Sequence, residues 1–512
     1  MNSTINKIII PYIIIILLLS SCSNRREDVV LQMDEFRLSK ESFIKSYSVA
    51  PSILMQGNNP RLTYLNAIKN DYLISQYLIS QGYGKDSSLS KTLRLFRQEL
   101  IVEKMFKEDV DDKIVISDKE IRDEVLKGEQ QVKVKYIYSE DYGEALQIKN
   151  ELTSGKSFEE IQESKLLKLG LSTNAGETGF LNYGEVNNEI NDVIFSLPAK
   201  DISDIIKTEA GYFILKVVDV RRSILSESDI QDLYPTYKKI LYNKKMYAES
   251  REYIKKFLDP KGIVVDGKVF KKFVNTLYPV YKQNKSSDNI KFEKNQEFFK
   301  VENHELSEEF LGEKLVVFND GTFTVGNILY HLSYYPVSFP TTSIKDFAES
   351  LKRKIGLRLR DIFLEKEGIK RGYASDSLIK EEIDLWKNQI ITYRFLQHLS
   401  DSLSIDTAKV EKISNEKFKE EVSFNKVEHK FLNSYKDYII YQELLKIVDK
   451  EEPNHKIFVN KEMLNKINVP KKKNNFGVDL FSYKMGLPYS RLAFAVPNRI
   501  WAAENVWNSI IK

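Results

Sequence analysis

Long stretches with apolar residues at three- and four-residue spacing are the feature that most limits the fold of this chain. Two of them, residues 62–78 and 89–106, are separated by Gly82-Tyr83-Gly84. The spacing places the apolar side chains on one face of a helix, and the glycines between the two stretches predict a helix stop. With 21 Gly and 13 Pro in 512 residues, the chain is poor in the turn residues that a sandwich of short strands requires. The sequence therefore predicts long helices.

Size and composition limit the function as well. At about 150 residues per domain the chain corresponds to roughly three folded units, and its 42% hydrophobic residues supply material for their cores. A formal net charge of +4 gives no general electrostatic footprint for nucleic acid. A single cysteine excludes an intramolecular disulfide and a thiolate metal cluster. We expect no cofactor, no metal, no nucleic-acid partner and no small-molecule substrate.

The N-terminus is typical of a secretion signal. Residues 1–22 combine a short basic start, an apolar run over 8–19 that is too short to span a bilayer, and small residues before Cys22. The stretch resembles lipoprotein signal peptides, in which the cysteine sulfur receives diacylglycerol and the cysteine becomes the new N-terminus. The alternative is an ordinary signal peptide with a cysteine there by chance. We expect an extracytoplasmic protein anchored through lipidated Cys22, on the periplasmic face of the outer membrane if the cell has two membranes.

The period of the pattern changes at residue 131. Apolar and polar residues alternate over 132–138, which predicts a strand, and helical patterns follow as far as a glycine-containing loop over 170–184. A further strand is predicted over 211–220. These elements indicate a small α+β unit of about 90 residues, set between helical segments.

The second half of the chain is interpreted as a repeat of the first. An extended segment, a helical stretch, a glycine and two further helices recur, so that Phe36 and Gly82 are matched by Phe323 and Gly368. The second copy lacks the α+β insert, because 405–421 leads almost directly into the next helix. The alternative is that any two amphipathic stretches look alike.

A series of short motifs lies between residues 131 and 222. The motifs are Val134-Lys-Tyr-Ile137, Leu152-Thr-Ser-Gly155-Lys-Ser-Phe158, Gly176-Glu-Thr-Gly179-Phe180, Ile194-Phe-Ser-Leu-Pro198, Asp201-Ile-Ser203 and Lys207-Thr-Glu-Ala-Gly211-Tyr212. In order and spacing they resemble a parvulin-type (PpiC, rotamase) domain, over less than a fifth of the chain. With the flanking helices and the signal, the chain is similar to SurA-type periplasmic chaperones and PrsA-type foldase lipoproteins.

The resemblance implies a pocket that has lost its usual chemistry. Active parvulins place one histidine in the first strand and another in the last, where this chain has Tyr136 and Phe213. The proline pocket maps onto Val186 and Ile190, and Thr208 is the one match in the polar network. The resemblance therefore implies six peptide-binding pocket equivalents: Tyr136, Phe180, Val186, Ile190, Thr208 and Phe213.

Rotation about a prolyl amide has a barrier of about 18–20 kcal/mol, and lowering it depends on interactions that are stronger in the twisted state. With aromatic rings in place of both histidines, the polar floor under the amide is largely gone while an apolar cleft is left. No residue is assigned as catalytic, and the domain is interpreted as a peptide-binding or spacer module.

The expected fold class is α+β, with mainly helical chaperone modules on either side of a small parvulin-like domain that has a short, antiparallel-rich sheet. The expected divisions are a signal peptide (1–21), a lipidated tether (22–28), a helical SurA-like module (29–128), a rotamase domain (129–223), a long helix and connector (224–262), a connector (263–313), a second helical module (314–470) and an aromatic tail (471–512).

The implied function is that of a lipid-anchored foldase or chaperone that holds unfolded secreted or outer-membrane proteins. Two alternatives stay open. One is an active peptidyl-prolyl cis-trans isomerase with an atypical pocket, and the other is a structural accessory lipoprotein of a surface or secretion complex, bound through the aromatic tail. We favour docking of that tail on the folded body. His331 and His398 have no partner at ligand spacing and are interpreted as structural.

Overall fold

The computed structural model describes residues 28–168, 171–208, 211–283, 292–294, 299–301, 304–333, 339, 343–404, 424–468 and 494–511. The chain divides into two compact units. Unit 1 comprises Met1–Val110 and Ser250–Lys512, and unit 2 comprises Asp111–Glu249. The predicted signal peptide and Cys22 lie outside the described residues.

Unit 1 begins with a β-hairpin followed by helices. The elements are β1 (Val29–Met33), β2 (Phe36–Ser39), α1 (Lys40–Val49), α2 (Pro60–Ser80) and α3 (Ser87–Asp109). Each helix begins at a polar cap: the side chains of Ser39, Asn59 and Asp86 accept backbone N–H groups of the first turn. Such caps satisfy donors that have no partner inside the helix, which fixes where α1, α2 and α3 start.

Unit 2 is built around a four-stranded antiparallel sheet with the order β4-β3-β6-β5. Its elements are α4 (Asp118–Gly128), β3 (Gln130–Ser139), α5 (Tyr142–Thr153), α6 (Phe158–Lys168), β4 (Glu177–Asn182), α7 (Asn188–Ile194), β5 (Ile206–Thr208), β6 (Gly211–Arg222) and α8 (Glu227–Leu258), whose last turns belong to unit 1. Successive side chains of β3 enter different cores: Tyr136 packs with residues of α7, and Ile137 packs with residues of α5 and α6.

The remaining elements belong to unit 1. They are β7 (Val264–Val265), α9 (Gly267–Gln283), β8 (Phe292–Lys294), β9 (Phe299–Val301), β10 (His304–Glu305), α10 (Glu308–Gly312), β11 (Lys314–Phe318), β12 (Gly321–Thr324), α11 (Val325–Leu332), α12 (Ile344–Lys370), α13 (Ser377–Ser402), α14 (Phe424–Glu451), β13 (Ile457–Val459), α15 (Lys461–Lys466) and α16 (Ala503–Ile511). Three small sheets have the orders β13-β1-β2, β12-β11-β7 and β10-β9-β8. Together with unit 2, these elements confirm the predicted α+β class and its helical character.

The core of unit 1 has two main parts. One gathers β1, β2 and α2 with residues of α13, α14 and the C-terminal segment, around the fully buried Phe43 and Tyr64. The other gathers α9, α11 and α12 around the fully buried Phe273 and Phe347. Residues 263–313 were expected to be a connector, but α9 and α10 bury Phe273, Leu277 and Phe310 there, so the segment supplies core.

The glycine that ends the first long helix of the second half differs from the expected one. Gly82 has φ +92°, and its counterpart after α12 is Gly372 with φ +85°, a left-handed conformation that glycine adopts without strain. Gly368 instead lies inside α12, where an added Cβ would come within 2.3 Å of the Cγ2 of Ile101. It permits close helix packing and does not stop the helix.

The C-terminal segment over 494–511 docks on unit 1. Ile500, Trp501 and Trp507 are buried, and Trp507 packs among Phe431, Tyr435 and other residues of α14. The rest of the aromatic tail, 471–493, lies outside the described residues. Among the helices that the structure describes, none has the length and apolar character needed to cross a membrane.

Candidate peptide-binding site

The sheet of unit 2 places the first and last strands of the small domain side by side. β3 and β6 pair antiparallel, with Tyr138 opposite Phe213 and Tyr136 opposite Leu215. Cross-strand partners share a face of a sheet, as do residues two apart on one strand. Tyr136, Tyr138 and Phe213 therefore lie on the same face, the one that α7 covers.

This face carries an apolar cluster. Its buried members are Val132, Val134, Ile194, Phe195, Ile206, Leu215 and Val217. Half-buried side chains pack against them, and they include Tyr136, Val186, Ile190 and Phe213. Four of the six predicted pocket residues are thus brought together, on β3, on β6, in α7 and just before α7.

Aromatic rings form the part of this face where the family histidines would stand. The ring centroids of Tyr136 and Phe213 are 6.3 Å apart, and those of Tyr138 and Phe213 are 5.1 Å apart. The Tyr136 hydroxyl donates to the carbonyl of Ala175 at 2.9 Å, so this phenol is engaged by the backbone. The surface formed by the three rings is suited to apolar and edge-on aromatic contacts.

Gln162 holds the neighbouring backbone in place. Its Nε2 donates to the carbonyl of Tyr136 at 2.7 Å and to the carbonyl of Gly176 at 2.8 Å. The amide of α6 thereby links β3 to the loop before β4. Sequence reasoning did not identify Gln162 or Tyr138. The alternation over 132–138 was the available signal for Tyr138, whereas no local pattern marks Gln162.

Thr208 lies at the end of the same face, at the turn between β5 and β6. Its hydroxyl donates to the carbonyl of Gly211 at 3.1 Å, across the hairpin pair that the two residues form. Gly211 has φ +138°, and a Cβ there would come within 2.7 Å of the Ser139 carbonyl oxygen. The hydroxyl of Thr208 therefore joins the end of β5 to the start of β6 beside the cluster.

Phe180 is placed apart from the other five residues. It pairs with Lys133 across β3 and β4, and Lys133 lies between Val132 and Val134, whose side chains enter the apolar cluster. Phe180 therefore lies on the opposite face of the sheet. There the guanidinium carbon of Arg221 is 3.6 Å from the centroid of its ring, a cation–π contact.

Charged side chains gather on that opposite face too. Lys216 pairs with Glu159 of α6 at 2.7 Å, and Lys133 pairs with Glu177. The hydrogen bond from Lys133 lowers the pKa of the Glu177 carboxyl. The opposite face thus carries ion pairs beside the apolar core that α5 and α6 cover, whereas the face with Tyr136, Tyr138 and Phe213 is apolar and aromatic. Within the described residues, no group of three or more His, Cys, Asp or Glu side chains is arranged to hold a metal ion.

A cluster of polar side chains from α4, α7, α8 and the loop before α7 lies beside the face that carries Tyr136, Tyr138 and Phe213. Lys244 lies 2.8 Å from Glu124 and 2.8 Å from Asp192, and the Tyr183 hydroxyl donates to Glu124. Burial raises the pKa of Tyr183 to about 12, so its phenol stays protonated at neutral pH. These contacts fix α4 and α8 against the small domain.

The comparisons with known proteins agree with this architecture. Residues 120–219 match the family "Rotamase: PPIC-type PPIASE domain". The chain is similar to the foldase protein PrsA of Oceanobacillus iheyensis, with 21% identity over 261 residues, which are 48% of this chain and 86% of the relative. It is also similar to the foldase protein PrsA of a Geobacillus strain, with 24% identity over 211 residues, or 39% of this chain and 75% of the relative.

Solved structures match as well. The peptidylprolyl isomerase PrsA from Bacillus anthracis covers 41% of this chain with 94% of its own length, at 16% identity and a TM-score of 0.21. A SurA-like chaperone structure from Campylobacter jejuni covers 44% of this chain with 97% of its own length, at 20% identity and a TM-score of 0.19.

The small domain of unit 2 is therefore a parvulin-type, PPIC-type rotamase domain. Over 39–48% of its length the chain is similar to PrsA foldases.

Proposed function

We propose that the chain is a lipid-anchored extracytoplasmic foldase that holds unfolded secreted or outer-membrane proteins, and that its rotamase domain binds peptides with little or no isomerase activity. The relatives that are foldases by name support the general role. The signal-like segment that ends at Cys22 supports secretion and anchoring. The two finer points, client binding and weak catalysis, rest on the aromatic face of unit 2.

The observation that carries the proposal is the ring surface formed by Tyr136, Tyr138 and Phe213. A twisted prolyl amide is stabilised by groups that donate or accept hydrogen bonds more strongly in the twisted state than in the planar one. Phe213 offers no such group, and the Tyr136 hydroxyl already donates to Ala175. Apolar rings contact the planar and the twisted amide about equally, which favours binding over catalysis.

The chaperone role is tested with the mature chain carrying Cys22→Ser, so that it is soluble without its lipid. A chemically unfolded outer-membrane protein is diluted into buffer with and without the chain, and its aggregation is followed by light scattering. We expect a delay that grows with chain concentration. A chain that neither binds this client nor delays its aggregation would contradict the proposal.

The peptide site is tested with a matched pair of substitutions. Ile190→Ser removes a half-buried apolar side chain from the aromatic face, and Phe180→Ser removes one from the opposite face. An X-Pro peptide titrated into each variant is followed by NMR shift changes. We expect Ile190→Ser to weaken binding about tenfold, which corresponds to ~1.4 kcal/mol, and Phe180→Ser to leave it unchanged. Equal effects of the two substitutions would place peptide binding elsewhere.

The enzyme alternative predicts exchange between cis and trans prolyl signals of that peptide, at a rate that rises with the concentration of the unsubstituted chain. The accessory-subunit alternative predicts a stable stoichiometric complex that is lost when 476–512 is deleted. Docking of 494–511 on unit 1 argues for the chaperone over the accessory subunit, because Trp501 and Trp507 are buried against the chain itself.

A further inference from the structure

Two β-hairpins of unit 1 are built alike. In β1-β2 the partners are Val29 with Ser39 and Leu31 with Leu38, with a register shift between them. In β11-β12 the partners are Lys314 with Thr324 and Val316 with Phe323, with the same shift. Each hairpin then ends at a residue that caps the next helix, Ser39 or Thr324. The pairing of the second hairpin therefore matches that of the first with an offset of 285 positions, and the register shift occurs at the equivalent place in both.

Two short strands also correspond. Each follows a long helix and a short 3-10 turn that contains a proline, Pro260 before β7 and Pro453 before β13. After each strand a polar residue precedes a further helix: Asp266 before α9 and Asn460 before α15. By its place in the repeat, β7 belongs to the first half of unit 1 and β13 to the second.

The pairing of these strands crosses between the halves. β13 pairs with β1, with Leu31 opposite Val459 and Gln32 opposite Phe458. β7 pairs with β11, with Val316 opposite Val265 and Val317 opposite Val264. Each hairpin thus takes its third strand from the other half of the chain, in the same register.

Backbone hydrogen bonds at the two junctions repeat one another. At one end of the strands, Asp34 N–H donates to the Lys456 carbonyl at 3.1 Å, and its equivalent Asn319 N–H donates to the Lys261 carbonyl at 3.0 Å, with the two acceptors displaced by one position relative to the strand register. At the other end, Asn460 N–H donates to Val30 at 2.9 Å, and Asp266 N–H donates to Leu315 at 2.9 Å. Independent packing of two unrelated helical segments would not produce this agreement in main-chain register.

The long helices show the same reciprocal relation in their side chains. Asp86 at the start of α3 pairs with Arg394 of α13 at 2.8 Å, and Asp376 at the start of α13 pairs with Lys104 of α3 at 3.1 Å. Each residue in one pair has its counterpart in the other pair 290 positions away. A contact between one residue of the first half and one of the second half is therefore repeated by their counterparts with the two halves interchanged. The same relation holds across a two-fold interface between identical subunits.

A second reciprocal contact lies deeper between these helices. The Ser75 hydroxyl donates to Oδ1 of Asn388 at 2.7 Å, and Nε2 of Gln98 donates to Glu365 at 2.6 Å. The same offset of 290 positions relates Ser75 to Glu365 and Gln98 to Asn388. The two pairs consist of different residue types but occupy equivalent positions of the repeat. Two diverged copies of one module would show this combination.

We infer that unit 1 consists of two copies of one module that exchange strands, like a strand-exchanged dimer contained in one chain. The hairpin of each copy is a binding surface for the terminal strand of the other copy. The rotamase domain is inserted after α3 of the first copy, so the pair of modules has a rotamase insert at one of two equivalent positions. The partner of each hairpin is the terminal strand of the other copy, and that strand is preceded by a long helix and a proline-containing turn.

Disulfide trapping in the mature chain tests this arrangement. In a Cys22→Ser background, introduced cysteines are the only thiols. The pairs Gln32→Cys with Phe458→Cys and Val264→Cys with Val317→Cys match the exchanged strands. Opposed residues of antiparallel strands have Cα atoms about 4.5–5.5 Å apart, which is within the range of a disulfide. All four side chains are exposed, so these substitutions leave the core unchanged.

The matched controls use the same four cysteines in the other combination. Gln32→Cys with Val264→Cys and Val317→Cys with Phe458→Cys would link if each copy kept its own terminal strand. Each variant is oxidised with glutathione disulfide, and the linked peptides are identified by mass spectrometry after digestion. We expect both exchanged pairs to link within one chain at least about tenfold faster than either control pair, since only they are held in contact.

Three results would overturn the inference, provided that the circular dichroism of the variants matches that of the parent. The control pairs could link faster than the exchanged pairs. The exchanged pairs could link only between two chains, seen as covalent dimers, which would place the exchange between molecules. Neither set could link above the rate of two cysteines at unrelated exposed positions, such as Glu41 and Glu462.

Discussion

Trp501 donates its indole N–H to the buried carboxylate of Asp71 at 2.7 Å, and so joins the C-terminal segment to the second helix of the chain. Asn498 adds its backbone N–H to the other carboxylate oxygen at 3.2 Å. A buried carboxylate requires such donors, because an unpaired buried charge is costly. The tail therefore completes a polar site in the core of unit 1.

Trp501→Phe should detach this segment. The substitution keeps an aromatic ring but removes a donor from a buried carboxylate, a loss that costs about 1–3 kcal/mol. We expect the free energy of unfolding in urea to fall by that amount and the segment over 494–511 to become sensitive to protease. Trp507→Phe, which keeps a ring between Phe431 and Tyr435, is the control. Equal losses in the two variants would show that ring size matters and that the hydrogen bond does not.

Asp71 should also make the stability depend on pH near neutrality. Burial raises its pKa to about 7, opposed by the hydrogen bonds from Trp501 and Asn498. Between about pH 4 and 7 the folded chain keeps a proton that the unfolded chain has released, so stability falls as pH rises through this window and levels off above it.

Asp71→Asn is expected to remove that fall. The check is the urea midpoint measured from pH 4.5 to 8.5, with the exposed Glu462→Gln as the control. An unchanged slope in Asp71→Asn would show that another group titrates in this window.

Asp34 should make the stability of the chain increase as pH rises through the acid range, which is the opposite of the effect of Asp71. Its carboxylate lies 2.6 Å from Nδ1 of His455, and this hydrogen bond is the main cause that lowers the pKa of Asp34. Stability that depends on this carboxylate is therefore present above about pH 4, the unfolded value, and is lost as pH falls through the lower folded value.

We expect Asp34→Asn to lower the unfolding midpoint at pH 7 and to approach the parent below pH 4. Asparagine tolerates the positive φ of 49° at this position, so backbone strain does not obscure the comparison. Glu35→Gln, at the exposed neighbouring residue, is the control. A difference that stays constant with pH would exclude the titration of Asp34 as its cause.

Restoring the family histidines should restore isomerase activity. Tyr136→His and Phe213→His together put polar groups where two neighbouring aromatic rings now lie. We expect kcat/KM on an X-Pro peptide to rise about tenfold or more over the parent, which corresponds to ~1.4 kcal/mol of transition-state stabilisation. Phe180→His, on the opposite face, should give no gain. Full activity in the unsubstituted chain would instead establish the enzyme alternative.

Cys22 should determine where the protein is found. Cys22→Ser leaves the signal segment intact but removes the sulfur that would carry the diacylglycerol. We expect the parent to incorporate a clickable fatty acid and to sediment with membranes, and the variant to lose both properties. Fatty-acid incorporation that persists in the variant would place the lipid on another residue.

The elements that sequence patterns predicted well are those whose signals are local. Gly82 ends a helix in the left-handed conformation, and the alternation over 132–138 forms a strand. Each depends on a few neighbouring residues, so it can be read without knowledge of the rest of the fold.

Features set by distant contacts could not be predicted in this way. The strands at Val264–Val265 and Ile457–Val459 are too short to show alternation, and each is defined by a hairpin far away in the sequence. Phe180 was grouped with the pocket because its motif matched, but its face follows from its pairing with Lys133. Gly368 and Gly372 are both close to the expected helix end, and only tertiary packing against Ile101 distinguishes them.

The exchange of strands also has a consequence for the order in which the protein can be made. The hairpin over 29–39 leaves the ribosome early, and the strand that completes it at Ile457–Val459 leaves late. Contacts between such distant parts of a chain form slowly, and strand edges that are still unpaired are prone to aggregation. A chain similar to foldases thus has an incomplete sheet of its own for most of its synthesis.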